Sequence, residues 1–262
     1  DSRMREADTA AESEADSAAT SLETIPDVED ALFSARGIET GYGDLQVLYG
    51  VDVDVRADEI VLVFGPNGAG KSTLMKALYG QLPLWDGRIE LGGADLSGTP
   101  ANRMVERGVG FVPQTQNVFP NLTVAENLDI GAIHVEEPDA RRAELFELFP
   151  RLEDRLTQTA ETLSGGERQM LAMARALMPD PDLLFIDEPS AGLAPQLIER
   201  TFEHVDRVRQ DGTAVLMIEQ NVTAALSVVD RGYVLDMGEN RFEADAETIR
   251  ESERIRDLYL GK

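Results

Sequence analysis

A mostly parallel, three-layer α/β core with an antiparallel β subdomain and an inserted helical subdomain is the architecture this sequence predicts. Three observations predict it. Short apolar runs alternate with helically spaced segments between residues 59 and 218. One such run ends in a glycine-rich loop that leads at once into a helical segment. A stretch rich in Leu, Ala, Glu and Arg then interrupts the alternation.

In chain order, residues 1–30 hold ten acids and two arginines among many Ala and Ser, too few large apolar side chains to offset the entropy of folding. They read as a disordered acidic tail. They lack the basic start, apolar run and small-residue cleavage site of a signal peptide, so export is not expected. Residues 32–39, 47–55 and 88–91 alternate between glycine-rich turns and read as antiparallel strands. Residues 59–64 form a buried-strand run, and 72–79 continue with helical spacing. Across residues 124–155, Leu145, Leu148, Phe149 and Leu152 fall at helical intervals and define the insertion. A helix at 167–178 closed by Pro179, a strand at 183–186, a helix at 195–210 and a strand at 214–218 complete the alternation. The expected division is a core of 31–112 and 167–262 with a helical subdomain of about 113–166. The chain's end soon after Leu260 is expected to leave no room for a regulatory domain.

Composition removes several function classes. There is no Cys, which excludes disulfides, thiolate zinc sites and cysteine nucleophiles. The longest apolar stretches are strand length, far short of the ~20 residues of a membrane helix. The net charge is −25, with Lys71, Lys76 and Lys262 the only lysines. Such a surface repels phosphate backbones and disfavours nucleic-acid binding. An acidic, lysine-poor surface points to a salt-rich cytoplasm that screens its self-repulsion. His134 and His204 fall in helical segments and read as surface residues rather than metal ligands or catalysts.

The chemistry is carried by three motifs. Gly65-Pro66-Asn67-Gly68-Ala69-Gly70-Lys71-Ser72 matches G-x-x-x-x-G-K-[ST] between a strand and a helix. Its glycines let backbone N–H groups turn inward around phosphate oxygens, the helix N-terminus adds positive potential, Lys71 reaches the outer phosphates, Ser72 ligates Mg²⁺, and Thr73 adjoins the nucleotide. Residues 183–188 are an apolar strand ending in Asp187, which holds Mg²⁺ directly or through water, and Glu188, the choice for general base toward the attacking water. Leu163-Ser164-Gly165-Gly166-Glu167-Arg168-Gln169 opens a helix, with Ser164 and Glu167 at capping-box spacing. Capping does not explain Gly165 and Gly166, which expose N–H groups as a second anion site.

The phosphate loop, LSGGERQ and LLFIDE in this order resemble the nucleotide-binding subunits of ABC ATPases, over roughly residues 32–260. That resemblance implies a P-loop NTPase (RecA-like) core using ATP and Mg²⁺. It implies a head-to-tail dimer in which each phosphate loop holds ATP against the LSGGE segment of the opposite subunit, so that Ser164, Gly165, Gly166 and Glu167 serve the partner's nucleotide. Gln114 matches the family's Q-loop glutamine, which touches Mg²⁺ and the attacking water. Tyr42, 29 residues before Lys71, stands where the family places an aromatic that stacks on adenine; the alternative is an aromatic on a strand edge. Trp85 reads as a packing residue at a turn. Ser190-Ala191-Gly192-Leu193-Ala194-Pro195 sits where the family has its D-loop. One departure stands out, because Gln220 occupies the position where most members have a histidine. An amide donates a hydrogen bond but carries no proton, so the mechanism is expected to centre on Glu188.

Residues 112–128, SAGLAP, the IEQN stretch and the GYG around Tyr42 are most similar to the smaller ATPase subunit of branched-chain amino acid importers, with urea and short-amide importers as the alternative. The resemblance implies a second ATPase subunit in a heterodimer, membrane permease subunits docked through the helical insertion, an extracellular solute-binding protein, and a place on the cytoplasmic face of the membrane. Two other classes fit less well. A soluble ABC enzyme acting on nucleic acid calls for two cassettes, a coiled-coil insertion or a basic surface. A phosphate-loop kinase or GTPase has no use for LSGGE.

Overall fold

The computed structural model describes residues 30–252 and residue 255; the expected tail at 1–29 and the chain end lie outside them. Two sheets organise the described residues. Strands β1 (Ala31–Tyr42), β2 (Leu45–Arg56), β4 (Asp86–Leu91) and β5 (Ala94–Asp95) form an antiparallel sheet in the order β2-β1-β4-β5. Between β2 and β4 the chain enters the second sheet as β3 (Ile60–Phe64) and continues as helix α1 (Lys71–Leu78). Every β3 residue is buried, as expected of a strand covered on both faces.

After a short helix α2 (Ala101–Met104) come β6 (Val109–Val112) and three helices of the insertion: α3 (Val124–Gly131), α4 (Pro138–Leu148) and α5 (Pro150–Glu153). The chain then runs α6 (Gly165–Leu177), β7 (Leu183–Asp187), α7 (Pro195–Gln210), β8 (Ala214–Ile218), α8 (Val222–Ala225), β9 (Arg231–Asp236), β10 (Glu239–Asp245) and α9 (Ala246–Glu251). The second sheet has the order β10-β9-β3-β8-β7-β6, parallel except for β10.

Alternation along the central strands sorts the core into two layers. Ile60, Leu62, Leu184, Ile186, Val215 and Met217 face a cluster built with α6, α7 and the insertion's Leu128, Leu145, Phe149 and Leu152. Val61, Val63, Leu183, Phe185, Leu216 and Ile218 face the antiparallel sheet and α1. The loops at the carboxyl ends of β3, β7 and β8 therefore lie side by side, where open α/β sheets bind ligands.

The structure changes four sequence-based expectations. The helix expected at 167–178 begins two residues earlier, so Gly165 and Gly166 form its first turn. His134 sits on an exposed turn after α3. His204 is half-buried on α7, its ring centroid 5.3 Å from that of Phe149, and burial lowers its pKa. The cause is the close packing of α7 against the insertion, which spacing alone does not show. Trp85 is 43% exposed beside a cavity of about 630 Å³ rather than packed. The β9–β10 hairpin had no counterpart in the sequence reading.

Candidate active site

The phosphate loop is built by backbone geometry. Gly65 has φ 147°, and a Cβ there would meet the Leu235 carbonyl oxygen at 1.9 Å, so no other residue leaves β3 at this angle. Gly70, at φ 103°, turns the chain into α1 as its N-cap with no side chain in the way. Lys71 is 6% exposed and folds back over the loop, donating to the Gly65 and Pro66 carbonyls at 2.9 and 3.0 Å. Burial lowers its pKa, against the opposing pull of Glu188 and Asp187. A cavity of about 210 Å³ opens over the loop, lined by Asn67, Gly68, Gly70, Lys71, Ser72 and Thr73. Val47, Glu188 and Gln220 complete its wall.

Glu188 is held by two amides. Gln114 Nε2 donates to its Oε2 at 2.6 Å, and Gln220 Nε2 donates to its Oε1 at 2.6 Å. Its backbone sits at φ 48°, unusual for a residue with a Cβ, pinned by a 2.9 Å bond from its N–H to the Ile218 carbonyl. The sheet brings these residues together: Gln114 follows β6, Glu188 follows β7 and Gln220 follows β8, three adjacent strands. Asp187 ends β7 beside them, and its Oδ1 is buried without a hydrogen-bond partner. Its carboxyl is pushed up to about 6, first by burial and then by the charge of Glu188, against Lys76 and Lys71.

Tyr42 ends β1, 46% exposed, with its hydroxyl 3.5 Å from Thr73 Oγ1, so an exposed ring stands at the flank of α1. The signature segment is elsewhere. Ser164 and Glu167 form a reciprocal capping box at the start of α6: Ser164 Oγ accepts from Glu167 N, and Glu167 Oε2 accepts from Ser164 N and Oγ. Glu167 also pairs with Arg155 at 2.9 Å. Burial pushes its pKa up, but the bonds from Ser164 and Arg155 outweigh that and leave it lowered. Glu167 thus has its carboxylate committed to the helix start, and none of residues 164–167 lines the cavity over this chain's own loop.

Sequence reasoning passed over two residues. Val47 lines the cavity from β2, and only the packing of the antiparallel sheet against the α1 layer places it there. Glu219 is buried beside Gln220; a charged residue directly after a wholly apolar strand was the available signal.

A family model described as ABC transporter matches residues 48–191. The chain is also 42% identical over 226 residues to the high-affinity branched-chain amino acid transport ATP-binding protein BraG of Pseudomonas aeruginosa, covering 86% of this chain and 97% of that protein. The chain belongs to the ABC transporter family. It is 40% identical over 227 residues to the probable branched-chain amino acid transport ATP-binding protein LivF of Archaeoglobus fulgidus, covering 86% and 96%. The solved ADP conformation of an ATP-binding cassette of an ABC transporter matches with a TM-score of 0.80 at 27% identity, covering 88% of this chain and 99% of that one. The chain is therefore an ATP-binding subunit that hydrolyses ATP. Among its described residues no helix is long and apolar enough to cross a membrane.

Proposed function

We propose that this ATPase subunit powers an importer of branched-chain amino acids, and that Glu188 is its general base. The observation that carries the catalytic part is the Glu188 carboxylate, fixed at the edge of the phosphate-loop cavity by Gln114 and Gln220. Both amides donate to the carboxylate and fix its direction, and neither competes for a proton. Glu188 accepts a proton from the attacking water, Lys71 swings from the loop carbonyls to the outer phosphate oxygens, and Tyr42 stacks on adenine.

Mg²⁺ fits the donors present. The partnerless Asp187 Oδ1, the Ser72 hydroxyl and the Gln114 amide oxygen are oxygen ligands of the kind that ion takes together with nucleotide phosphates. When bound, the ion supplies charge neutralisation on the transferred phosphoryl group. Among the described residues no cluster of three or more His, Cys, Asp or Glu side chains forms a self-sufficient metal cage, which suits an ion carried in with ATP.

The signature glycines support a site shared between subunits. Within this chain the nearest atoms to a Cβ at Gly166 belong to the Leu197 side chain, at ordinary contact distance. Folding therefore leaves Gly166 unexplained, whereas a partner's γ-phosphate approaching the first turn of α6 demands a bare backbone. The second subunit in this reading is a different ATPase, giving a heterodimer. Residues 113–166 act as the helical subdomain that receives the permease subunits, and the assembly lies on the cytoplasmic face of the membrane behind a solute-binding protein. The names of the relatives support the cargo.

The test is ATP hydrolysis by the complex in liposomes with its binding protein. Leucine, isoleucine or valine should raise the rate several-fold. A response to urea or short amides instead overturns the cargo assignment.

A further inference from the structure

Glu219 is 2% exposed at the end of β8, and its carboxylate accepts four hydrogen bonds. Oε1 accepts from the Ser190 hydroxyl at 2.8 Å and from the backbone N–H groups of Gln220 and Asn221, both at 2.9 Å. Oε2 accepts from the Ser190 N–H at 3.1 Å. Two loops meet on this one side chain. One carries Glu188 and, two residues later, Ser190; the other carries Gln220. Those loops also meet at the 2.6 Å bond from Gln220 to Glu188.

The bonds of a buried carboxylate are directional and strengthened by low dielectric, so Glu219 holds both loop backbones in one relative position. Removing it leaves two N–H groups of the 220–221 turn and the Ser190 hydroxyl without their acceptor. The turn is then free to re-aim, and the Gln220 amide with it.

We infer that Glu219 is a positioning residue for hydrolysis, locking the Ser190 loop to the 220–221 turn so that the Gln220 amide stays on the Glu188 carboxylate. It does not line the phosphate-loop cavity and acts through Gln220. The loop it locks continues into the SAGLAP segment, so displacement of that segment by a second subunit is passed to Gln220 through this carboxylate. The inference rests on the roles proposed above for Glu188 and Gln220.

The experiment measures kcat and KM for ATP in the assembled complex carrying Glu219→Ala, Glu219→Gln, Gln220→Ala, and the Glu219→Ala/Gln220→Ala pair. Glu219→Ala should lower kcat about tenfold with KM within about twofold. Glu219→Gln keeps an acceptor oxygen and should recover part of the loss. The paired variant should be no slower than Gln220→Ala alone, because both changes remove the same contact. Where Glu219→Ala fails to fold, Glu219→Gln carries the test, and its smaller loss should vanish in the Gln220→Ala background. Losses that multiply, or an unchanged kcat in folded Glu219 variants, overturn the inference. An unchanged kcat in Gln220→Ala overturns the reading of the site itself, and this inference with it.

Discussion

At the residue scale, the site is a carboxylate held ready. The 2.6 Å bonds from Gln114 and Gln220 keep Glu188 aimed, and its backbone at φ 48° is of the kind that persists where surroundings over-determine it. Glu188→Gln should lower kcat by about 100-fold or more while ATP still binds, measured by phosphate release and nucleotide retention. Asp187 gives a prediction in stability. Its carboxyl titrates near 6 in the folded chain against an unfolded value of 3.8, so the stability it contributes is present below 3.8 and lost as pH rises through 6. In the nucleotide-free chain, Asp187→Asn should therefore melt above the parent at pH 7.5, with a gap that closes toward pH 4. A gap equal at both ends would show that burial of this charge is not what costs. Lys71, Asp187 and Glu188 were legible because their motif spacing is local. Glu219 and Val47 were not, since Glu219 reaches the site through the pairing of β8 with β7 and Val47 through the packing of the antiparallel sheet on the layer that holds α1.

At the element scale, turn chemistry and caps decide where each functional group lands. The phosphate loop, the capping box of α6 and Pro195 at the start of α7 were all readable from sequence, because glycine, S-x-x-E and proline act on the backbone next to them. Asn127 was not singled out. It is fully buried on α3, accepts from the Phe119 N–H, and donates to the Phe119 and Thr123 carbonyls at 3.0 and 2.9 Å. One side chain thus closes the loop that leads from Gln114 into the insertion. Asn127→Ala leaves those backbone groups unpaired and should cost about 2–3 kcal/mol of stability in urea unfolding. A cost below about 0.5 kcal/mol would mean that water replaces the amide. The C-terminal hairpin escaped the sequence reading because Arg231, a charged residue, opens β9 in place of an apolar run.

At the scale of the whole molecule, that arginine joins the two sheets. Arg231 is 3% exposed, pairs with Glu59 at 2.6 Å and with Glu243, and donates to the Asp54 carbonyl of β2 at 2.6 Å. Arg231→Leu strands the buried Glu59 and unpairs the partly buried Glu243, and should cost about 3–5 kcal/mol. The three-layer class was readable from alternation alone, whereas the packing of α1 between the sheets required the structure. The charge of −25 makes a further whole-molecule prediction: melting temperature should rise from dilute buffer to molar KCl as self-repulsion is screened. No rise would remove the salt-rich setting.

In the proposed assembly, the phosphate loop of one subunit and the α6 start of another close over ATP. The most direct measurement is the mass, by light scattering, of the Glu188→Gln chain mixed with its second ATPase subunit, with and without ATP. Separate subunits are expected without nucleotide and a stable pair with ATP. A mass that does not respond to ATP would contradict this assembly.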